Sequence, residues 1–257
     1  MLIEFFKYQG TGNDFILIDD RENIFNINDY DLIAALCERR MGIGADGLIL
    51  LRKHEKYDFE MIYFNSDGNQ SSMCGNGGRC IVLFAEVLGI IENEAEFMAI
   101  DGVHKAKIDN DIVYLKMQDV TKVEGVGSGI FLNTGSPHYI EMVDNLEGFD
   151  VVKQARRIRN SSPFKEEGVN VNFVLDSDDL ELRTYERGVE AETLSCGTGA
   201  VATAIAMHHA NCLEEDSVYL KTKGGVLGVS FEFFKGFYRN IWLSGEVNMV
   251  YAGEFEC

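Results

Sequence analysis

The hydrophobic pattern consists mostly of short apolar runs punctuated by Gly, Asp and Asn. Residues 15–18, 47–51, 59–63, 112–115, 171–174 and 218–220 are rich in β-branched and aromatic side chains, which predicts strands. Two segments break the pattern. Residues 80–88 and 200–206 are apolar almost all round, and a helix without a polar face belongs in an interior. Each follows a Cys-Gly element: Cys74-Gly75-Asn76-Gly77 and Cys196-Gly197-Thr198-Gly199. A third helix is predicted over residues 31–40, an amphipathic cover with Asp31 near its start and Leu32, Ala35 and Leu36 facing the core. Cys37 is expected to pack with them.

The chain repeats itself at about half its length. Thr11 in Gly10-Thr11-Gly12-Asn13 answers Thr134 in Asn133-Thr134-Gly135-Ser136 at an offset of 134 − 11 = 123. Cys74 answers Cys196 at 196 − 74 = 122, and Asp46 answers Asn170 at 170 − 46 = 124. One such pair could be chance among 26 glycines, whereas three in order point to duplication. The predicted class is α+β, with two pseudo-symmetric domains, each a mixed β-sheet or barrel wrapped around a central buried helix. The first domain covers 1–118 and the second 119–244, with no Pro-rich or Ser-rich linker between them.

Charge narrows the partners. A formal charge of −19 argues against binding to nucleic acid or to anionic membranes, both of which need clustered Lys and Arg, and leaves a small molecule as the partner. No apolar run reaches membrane-spanning length and the N-terminus lacks a signal-peptide pattern, so a soluble cytoplasmic protein is expected. Six cysteines in a chain of 257 residues suggest reduced thiols. Cys74 and Cys80 are six apart and Cys212 stands alone beside His208 and His209, so the spacing of a structural zinc site is absent and no metal is expected. Cys37, Cys80, Cys212 and Cys257 are read as core packing.

Cys74 and Cys196 read differently, because each stands where a Gly-x-Gly turn opens a buried helix. Backbone N–H groups and the positive end of the helix dipole favour an anion there, either a thiolate or a ligand carboxylate. Inverting a tetrahedral carbon needs a base on one face and an acid on the other, and two thiols can supply both. Like charges disfavour double ionisation, so the pair should hold one thiolate and one thiol. Amides at Gly75, Asn76, Gly197 and Thr198 would hold the charge that develops on the substrate carboxylate, so that no electron-sink cofactor is required.

At these residues the sequence resembles the diaminopimelate epimerases. The resemblance runs through Gly10-Thr11-Gly12-Asn13-Asp14-Phe15, Gly42-Ile43-Gly44-Ala45-Asp46-Gly47 and Phe64-Asn65-Ser66-Asp67-Gly68. It continues in Met73-Cys74-Gly75-Asn76-Gly77-Gly78-Arg79-Cys80 and in Glu186-Arg187-Gly188-Val189 leading to Thr193-Leu194-Ser195-Cys196-Gly197-Thr198-Gly199-Ala200. It implies interconversion of LL- and meso-diaminopimelate on the way to lysine and peptidoglycan precursors, without pyridoxal phosphate or metal, by a homodimer. It also implies that residues 245–257 return to the first domain. Cys74 and Cys196 become the proton-transfer pair. Asn13, Asn65, Asn170, Glu186 and Arg187 become substrate contacts, with Gly75, Asn76, Gly197 and Thr198 as the carboxylate cradle. His138 and Glu186 become residues that tune the thiols. A planar guanidinium at Arg187 suits a second carboxylate; the alternative for it is a surface ion pair.

Two departures from the family pattern stand out. Ser136 occupies a position usually held by Asn, so a hydrogen bond from Ser136 has to replace that of a longer amide. The stretch from Glu186 to Cys196 is one residue longer than usual. Rival readings are a racemase resembling the proline or hydroxyproline racemases, a cysteine hydrolase using His138 or His208 as base, and a catalytically silent binding protein.

Overall fold

In the computed structural model, which describes residues 2–110, 112–175 and 180–256, the chain divides into two compact units. One comprises residues up to Leu115 together with those from Gly245 on, and the other runs from Lys116 to Ser244. The first unit opens with a hairpin, β1 (Leu2–Gly10) and β2 (Asn13–Asp19), in which Gly10 pairs with Asn13 across a loop of Thr11 and Gly12. Both loop residues have positive φ, 50° and 84°, the combination a tight two-residue hairpin turn requires. Threonine is a costly choice there.

From β2 the chain crosses through α1 (Tyr30–Cys37) to β3 (Gly47–Arg52), which lies parallel to β2 as a helical crossover allows. Antiparallel β4 (Phe59–Asn65) follows, and then α2 (Gly75–Val87) leads to β5 (Glu94–Ala99), parallel to β4. β6 (Gly102–Asp109) and β7 (Ile112–Lys116) complete the run, and the last part of β16 (Phe237–Glu256) pairs with β1 from Val247 to Glu256. Helix α2 packs against β1, β2, β3 and β6, which leaves it no solvent face over Gly75–Val82. Burying a large apolar residue stabilises by about 1.5–3 kcal/mol, and Ile81, Val82 and Phe84 are all fully buried.

The second unit repeats this order. β8 (Val123–Val126), β9 (Gly129–Asn133) and β10 (Pro137–Met142) are antiparallel neighbours, α3 (Val151–Arg159) crosses to parallel β11 (Asn170–Leu175), and β12 (Leu180–Glu186) returns antiparallel. After the short β13 (Ala191–Thr193), α4 (Gly197–His209) leads to β14 (Ser217–Thr222), parallel to β12, and then β15 (Gly225–Phe234). Helix α4, made of Gly, Ala, Thr and aliphatic residues up to Ala206, is buried from Gly199 through Met207. Its small side chains let strands approach from every side.

Register refines the repeat. Phe15 pairs with Gly47 in one unit and His138 with Asn170 in the other, an offset of 138 − 15 = 170 − 47 = 123. Asn170 therefore answers Gly47, one residue beyond the Asp46 the sequence suggested. A buried histidine also takes the place of the buried Phe15.

Three other expectations need correction. Helix α1 ends at Cys37 rather than Arg40, because Glu38 is already extended and Gly44 and Ala45 donate to the last carbonyls. Its buried face is Ile33, Leu36 and Cys37, with Ala35 exposed, and its cap is Asp29, whose carboxylate accepts from the Leu32 amide. Cys212 is exposed, not packed: it follows Asn211, whose positive φ of 58° turns the chain out of the end of α4. Cys37 and Cys80 are buried as expected, and Cys257 lies outside the described residues. Among the described residues, no helix is long and apolar enough to cross a membrane.

Candidate functional site

Cys74 and Cys196 are the N-cap residues of α2 and α4, with extended backbones at φ −91° and −134°. Neither sulfur caps its helix by a side-chain hydrogen bond, so each stands at a helix N-terminus whose first amides have no partner within the helix. The Cys74 carbonyl accepts from the Gly78 amide at 2.7 Å and the Cys196 carbonyl from Ala200 at 2.9 Å. Both helices start in the same way, and what surrounds the two sulfurs differs.

In the first unit Cys74 donates through Sγ to Asn13 Oδ1 at 3.6 Å. Asn13 Oδ1 also accepts from Asn76 Nδ2 at 3.2 Å, while Asn13 Nδ2 donates to the Asp46 carboxylate. Behind it Arg39 bridges Asp14 and Asp46, and Lys7 pairs with Asp14. Burial opposes ionisation of Asp14, yet hydrogen bonds from Arg39 and Lys7 outweigh it and hold this carboxyl down at about 2. Asn65 ends β4 half-buried, and its carboxamide has no protein partner among the described residues.

The second unit meets its cysteine with a hydroxyl. Thr198 Oγ1 lies 3.5 Å from Cys196 Sγ and 2.9 Å from His138 Nε2. Asn172 fixes the histidine. Its Nδ2 lies 3.4 Å from the Tyr139 carbonyl, which can only accept, and 3.0 Å from His138 Nδ1, while its Oδ1 accepts from Thr184 Oγ1 at 2.9 Å. Nδ1 is therefore an acceptor, the proton of the neutral ring sits on Nε2, and that N–H donates to Thr198. This leaves the Thr198 hydroxyl proton for Cys196. Complete burial, and then the charge of Arg187, push the His138 pKa down to about 3, so the ring stays neutral.

Asn170 Nδ2 donates to Ser136 Oγ at 2.8 Å and to the Pro137 carbonyl at 3.1 Å, and its Oδ1 accepts from the Arg187 amide at 2.8 Å. Ser136 is thus tied to Asn170 much as Asn13 is tied to Asp46. Glu186 Oε1 accepts from Thr193 Oγ1 at 2.6 Å. Between Glu186 and Ala191, which pair across the strands, runs a four-residue loop, Arg187-Gly188-Val189-Glu190, closed by the Glu190 amide donating to the Glu186 carbonyl at 2.8 Å. Arg187 is exposed, and its guanidinium donates to the Glu167 carbonyl at 3.1 Å rather than to a carboxylate. Gly75 and Asn76, and Gly197 and Thr198, occupy the first turns of the two helices as the cradle reading requires.

Sequence reasoning missed Asn172, Thr184, Thr193, Thr11 and Arg79. For Asn172 a signal existed: Asn170-Val171-Asn172-Phe173 places two amides on one face of a strand whose other residues are apolar. His208, a candidate hydrolase base, instead bonds Tyr238 Oη at 2.9 Å among Phe231 and Phe233. Among the described residues, no three His, Cys, Asp or Glu side chains converge to hold a metal ion.

Close packing around Asn172 yields a prediction. A Cβ on Gly199 would stand 2.5 Å from Asn172 Oδ1 and 3.2 Å from Cys196 Cβ. Alanine favours a helix over glycine by about 1 kcal/mol, whereas overpacking a buried site costs about 1–3 kcal/mol, so the clash should win. Gly199→Ala is expected to lower the melting temperature and to cut kcat/KM about tenfold by displacing Asn172; a variant that melts higher with full turnover would refute that close contact.

A family model described as diaminopimelate epimerase matches residues 5–123 and 130–236. The chain belongs to the diaminopimelate epimerase family. One family relative, from Flavobacterium psychrophilum, is 51% identical over 252 residues, covering 97% of this chain and 98% of the relative. Another, from Aquifex aeolicus, is 38% identical over 272 residues, covering 98% and 97%. The fold of the diaminopimelate epimerase family is also that of more distant structures. A Bacillus anthracis phenazine biosynthesis protein of the PhzF family has a TM-score of 0.79 at 12% identity, with both chains fully covered. A hydroxyproline epimerase from Agrobacterium vitis has a TM-score of 0.69 at 15% identity, covering 98% of this chain and 92% of that one.

Proposed function

We propose that Cys74 and Cys196 are the acid and base of the family's reaction. As a diaminopimelate epimerase, the chain is an isomerase that works without pyridoxal phosphate and serves lysine biosynthesis. The observation that carries the assignment is the opposite polarity around the two sulfurs. Asn13 Oδ1 can only accept, which suits a protonated Cys74, whereas Thr198, with its own acceptor role filled by His138, can donate to a Cys196 thiolate.

From that resting state the Cys196 thiolate takes the α-proton and the electron pair moves into the substrate carboxylate, held by amides of the helix N-termini. Cys74 gives its proton to the other face of the same carbon. The product leaves with inverted configuration, and the two sulfurs have exchanged protonation states. The reverse direction uses the same groups with roles swapped. The reading requires both sulfurs to reach one carbon.

Asn13, Asn65, Ser136, Asn170 and Glu186 are proposed as polar contacts for the substrate's amino and carboxyl groups, and Arg187 as the partner of its distal carboxylate. Support for Arg187 is that, among the described residues, a backbone carbonyl alone engages its guanidinium, which leaves N–H groups for a planar anion. The same reading carries a homodimer and a cytoplasmic location, where thiols stay reduced.

Turnover separates this from the proline-type reading. The purified enzyme is expected to convert LL-diaminopimelate to the meso form and to leave L-proline unchanged, measured by chiral chromatography. Activity on proline alone would overturn the substrate assignment.

A further inference from the structure

Arg79 has no role in the reaction as drawn so far, yet it is fully buried and is charged at any ordinary pH. Its guanidinium folds back to the start of its own helix. Nη1 donates to the Gly75 carbonyl at 3.4 Å, and Nη2 donates to Asn76 Oδ1 and to Thr11 Oγ1, each at 3.1 Å. Nε has no hydrogen-bond partner. All three acceptors are neutral. A buried cation without a carboxylate is costly, and a counter-charge forming nearby during function would offset that cost.

The charged and titratable groups on neighbouring elements are largely engaged elsewhere. On β2, Asp14 is held by Lys7 and Arg39; on β3, Arg52 pairs with Asp20; on β6, Lys105 pairs with Glu96 and His104 with Asp101. Tyr8 of β1 is pushed up to about 12, by burial first and then by Cys80 and Glu86, so its hydroxyl stays neutral. On the helix itself, burial raises the Cys80 thiol far above its ordinary value. Burial pushes the Arg79 pKa down, and charge on Cys80 or Cys74 would oppose that shift; of these two thiols Cys74 alone has solvent access.

We propose that Arg79 is the positioning residue of the Cys74 half-site: it orients the Asn76 and Asn13 amides and supplies the positive charge against which Cys74 ionises once it has given up its proton. The hydrogen bonds run in one sense. Arg79 donates to Asn76 Oδ1, which turns Asn76 Nδ2 toward Asn13 Oδ1, the atom that accepts the Cys74 S–H hydrogen bond in the resting state. Thr11 supplies an acceptor from a left-handed backbone conformation that a β-branched residue rarely takes. Gly10 makes the room, since a Cβ there would lie 3.3 Å from the Asn76 carbonyl oxygen and 3.5 Å from Arg79 Nη2. Without this charge Asn13 Oδ1 would hold Cys74 as a thiol too weak to act as an acid. Cys196 has the Thr198–His138 pair for the same purpose.

This inference rests on the two-cysteine reading, and the experiment keeps the two apart. In the Cys196→Ala background, the pH midpoint for alkylation of Cys74 by iodoacetamide is read by peptide mass mapping with Arg79 intact and in Arg79→Met. The midpoint is expected to rise by about one pH unit or more, a tenfold change in ionisation, as removal of a nearby opposite charge should produce. In the otherwise unaltered enzyme Arg79→Met should lower kcat/KM by about 10- to 100-fold. A folded Arg79→Met protein with an unmoved midpoint overturns the proposal, because a merely structural arginine would leave Cys74 ionisation alone. If Arg79→Met does not fold, 15N-arginine NMR of the Cys196→Ala protein decides: the Arg79 Nε resonance should titrate with the Cys74 midpoint and stop doing so in a Cys74→Ala protein. A resonance that ignores Cys74 overturns it equally. Failure of the wild-type enzyme to incorporate solvent deuterium at the α-carbon would instead remove the two-cysteine reading beneath it.

Discussion

Cys74→Ala and Cys196→Ala are each expected to lower kcat/KM for epimerisation by at least about a thousandfold, since each removes one of the two proton-transfer groups. General acid–base catalysis by a placed side chain is worth about 10²–10⁴-fold, and residues acting as a unit lose nearly all activity when either is removed. The neighbours of Cys196 include a threonine hydroxyl and a neutral imidazole donating its only N–H, and those of Cys74 include the Asn13 carboxamide, which Asn76 in turn holds. None is a base at neutral pH. Both variants should fold, because Cys→Ala removes one sulfur atom from a helix cap that makes no side-chain capping bond. Chiral assay of product together with circular dichroism checks both statements. Full epimerisation by either variant would contradict the two-cysteine assignment.

The second large effect is on stability against pH. His138 is buried and neutral, with a folded pKa of about 3 against an ordinary 6.5. Between those values the unfolded chain binds a proton that the folded chain does not, so stability rises with pH across this window and is lost as pH falls below 6.5. Each pKa unit corresponds to 1.36 kcal/mol, which makes the loss at pH 4.5 on the order of 2–3 kcal/mol. His138→Phe, which places at this register position the residue found at Phe15, should flatten the profile between pH 6.5 and 4.5. Asp14 acts in a separate window: depressed to about 2, its contribution is present above the ordinary 3.8 and disappears only below it. Urea unfolding of both proteins at pH 7, 5.5 and 4.5 measures the difference, and parallel profiles would mean that His138 titrates in the fold.

Much of the fold was legible because burial leaves a strong mark on sequence. Residues 80–88 and 200–206 announced interior helices through the lack of any polar face, and the strands at 15–18, 47–51 and 171–174 through dense β-branched and aromatic content. Local chemistry was less legible. Residues 38–40, Glu-Arg-Arg, are good helix formers and give no local stop where Glu38 turns extended; the returning amides of Gly44 and Ala45 take the last carbonyls instead. The repeat was readable to within a residue, and strand register was needed to move the partner of Asn170 from Asp46 to Gly47.

The cysteines and their glycines were visible because helix N-termini have a local signature. Thr184 and Arg79 were not, since their partners Asn172 and Thr11 lie 12 and 68 positions away, and the strand pattern that marks Asn172 gives no sign of its partner His138, 34 positions away. A histidine's tautomer is set by such partners, and no window along the chain contains them. That is also why His138 could be assigned a tuning role by resemblance, while its route to Cys196 through Thr198 had to come from coordinates.

The measurement that bears most directly on the central claim is deuterium incorporation during the first few per cent of turnover of LL-diaminopimelate in heavy water, read by mass spectrometry and NMR at the α-carbon. Two sulfurs serving opposite faces predict one solvent deuterium at the inverted carbon of the product and none in the recovered substrate, because the substrate's proton goes to one sulfur while the hydrogen delivered comes from the other, already exchanged with solvent. Deuterium appearing equally in substrate and product, or absent from the product, would contradict the two-cysteine account.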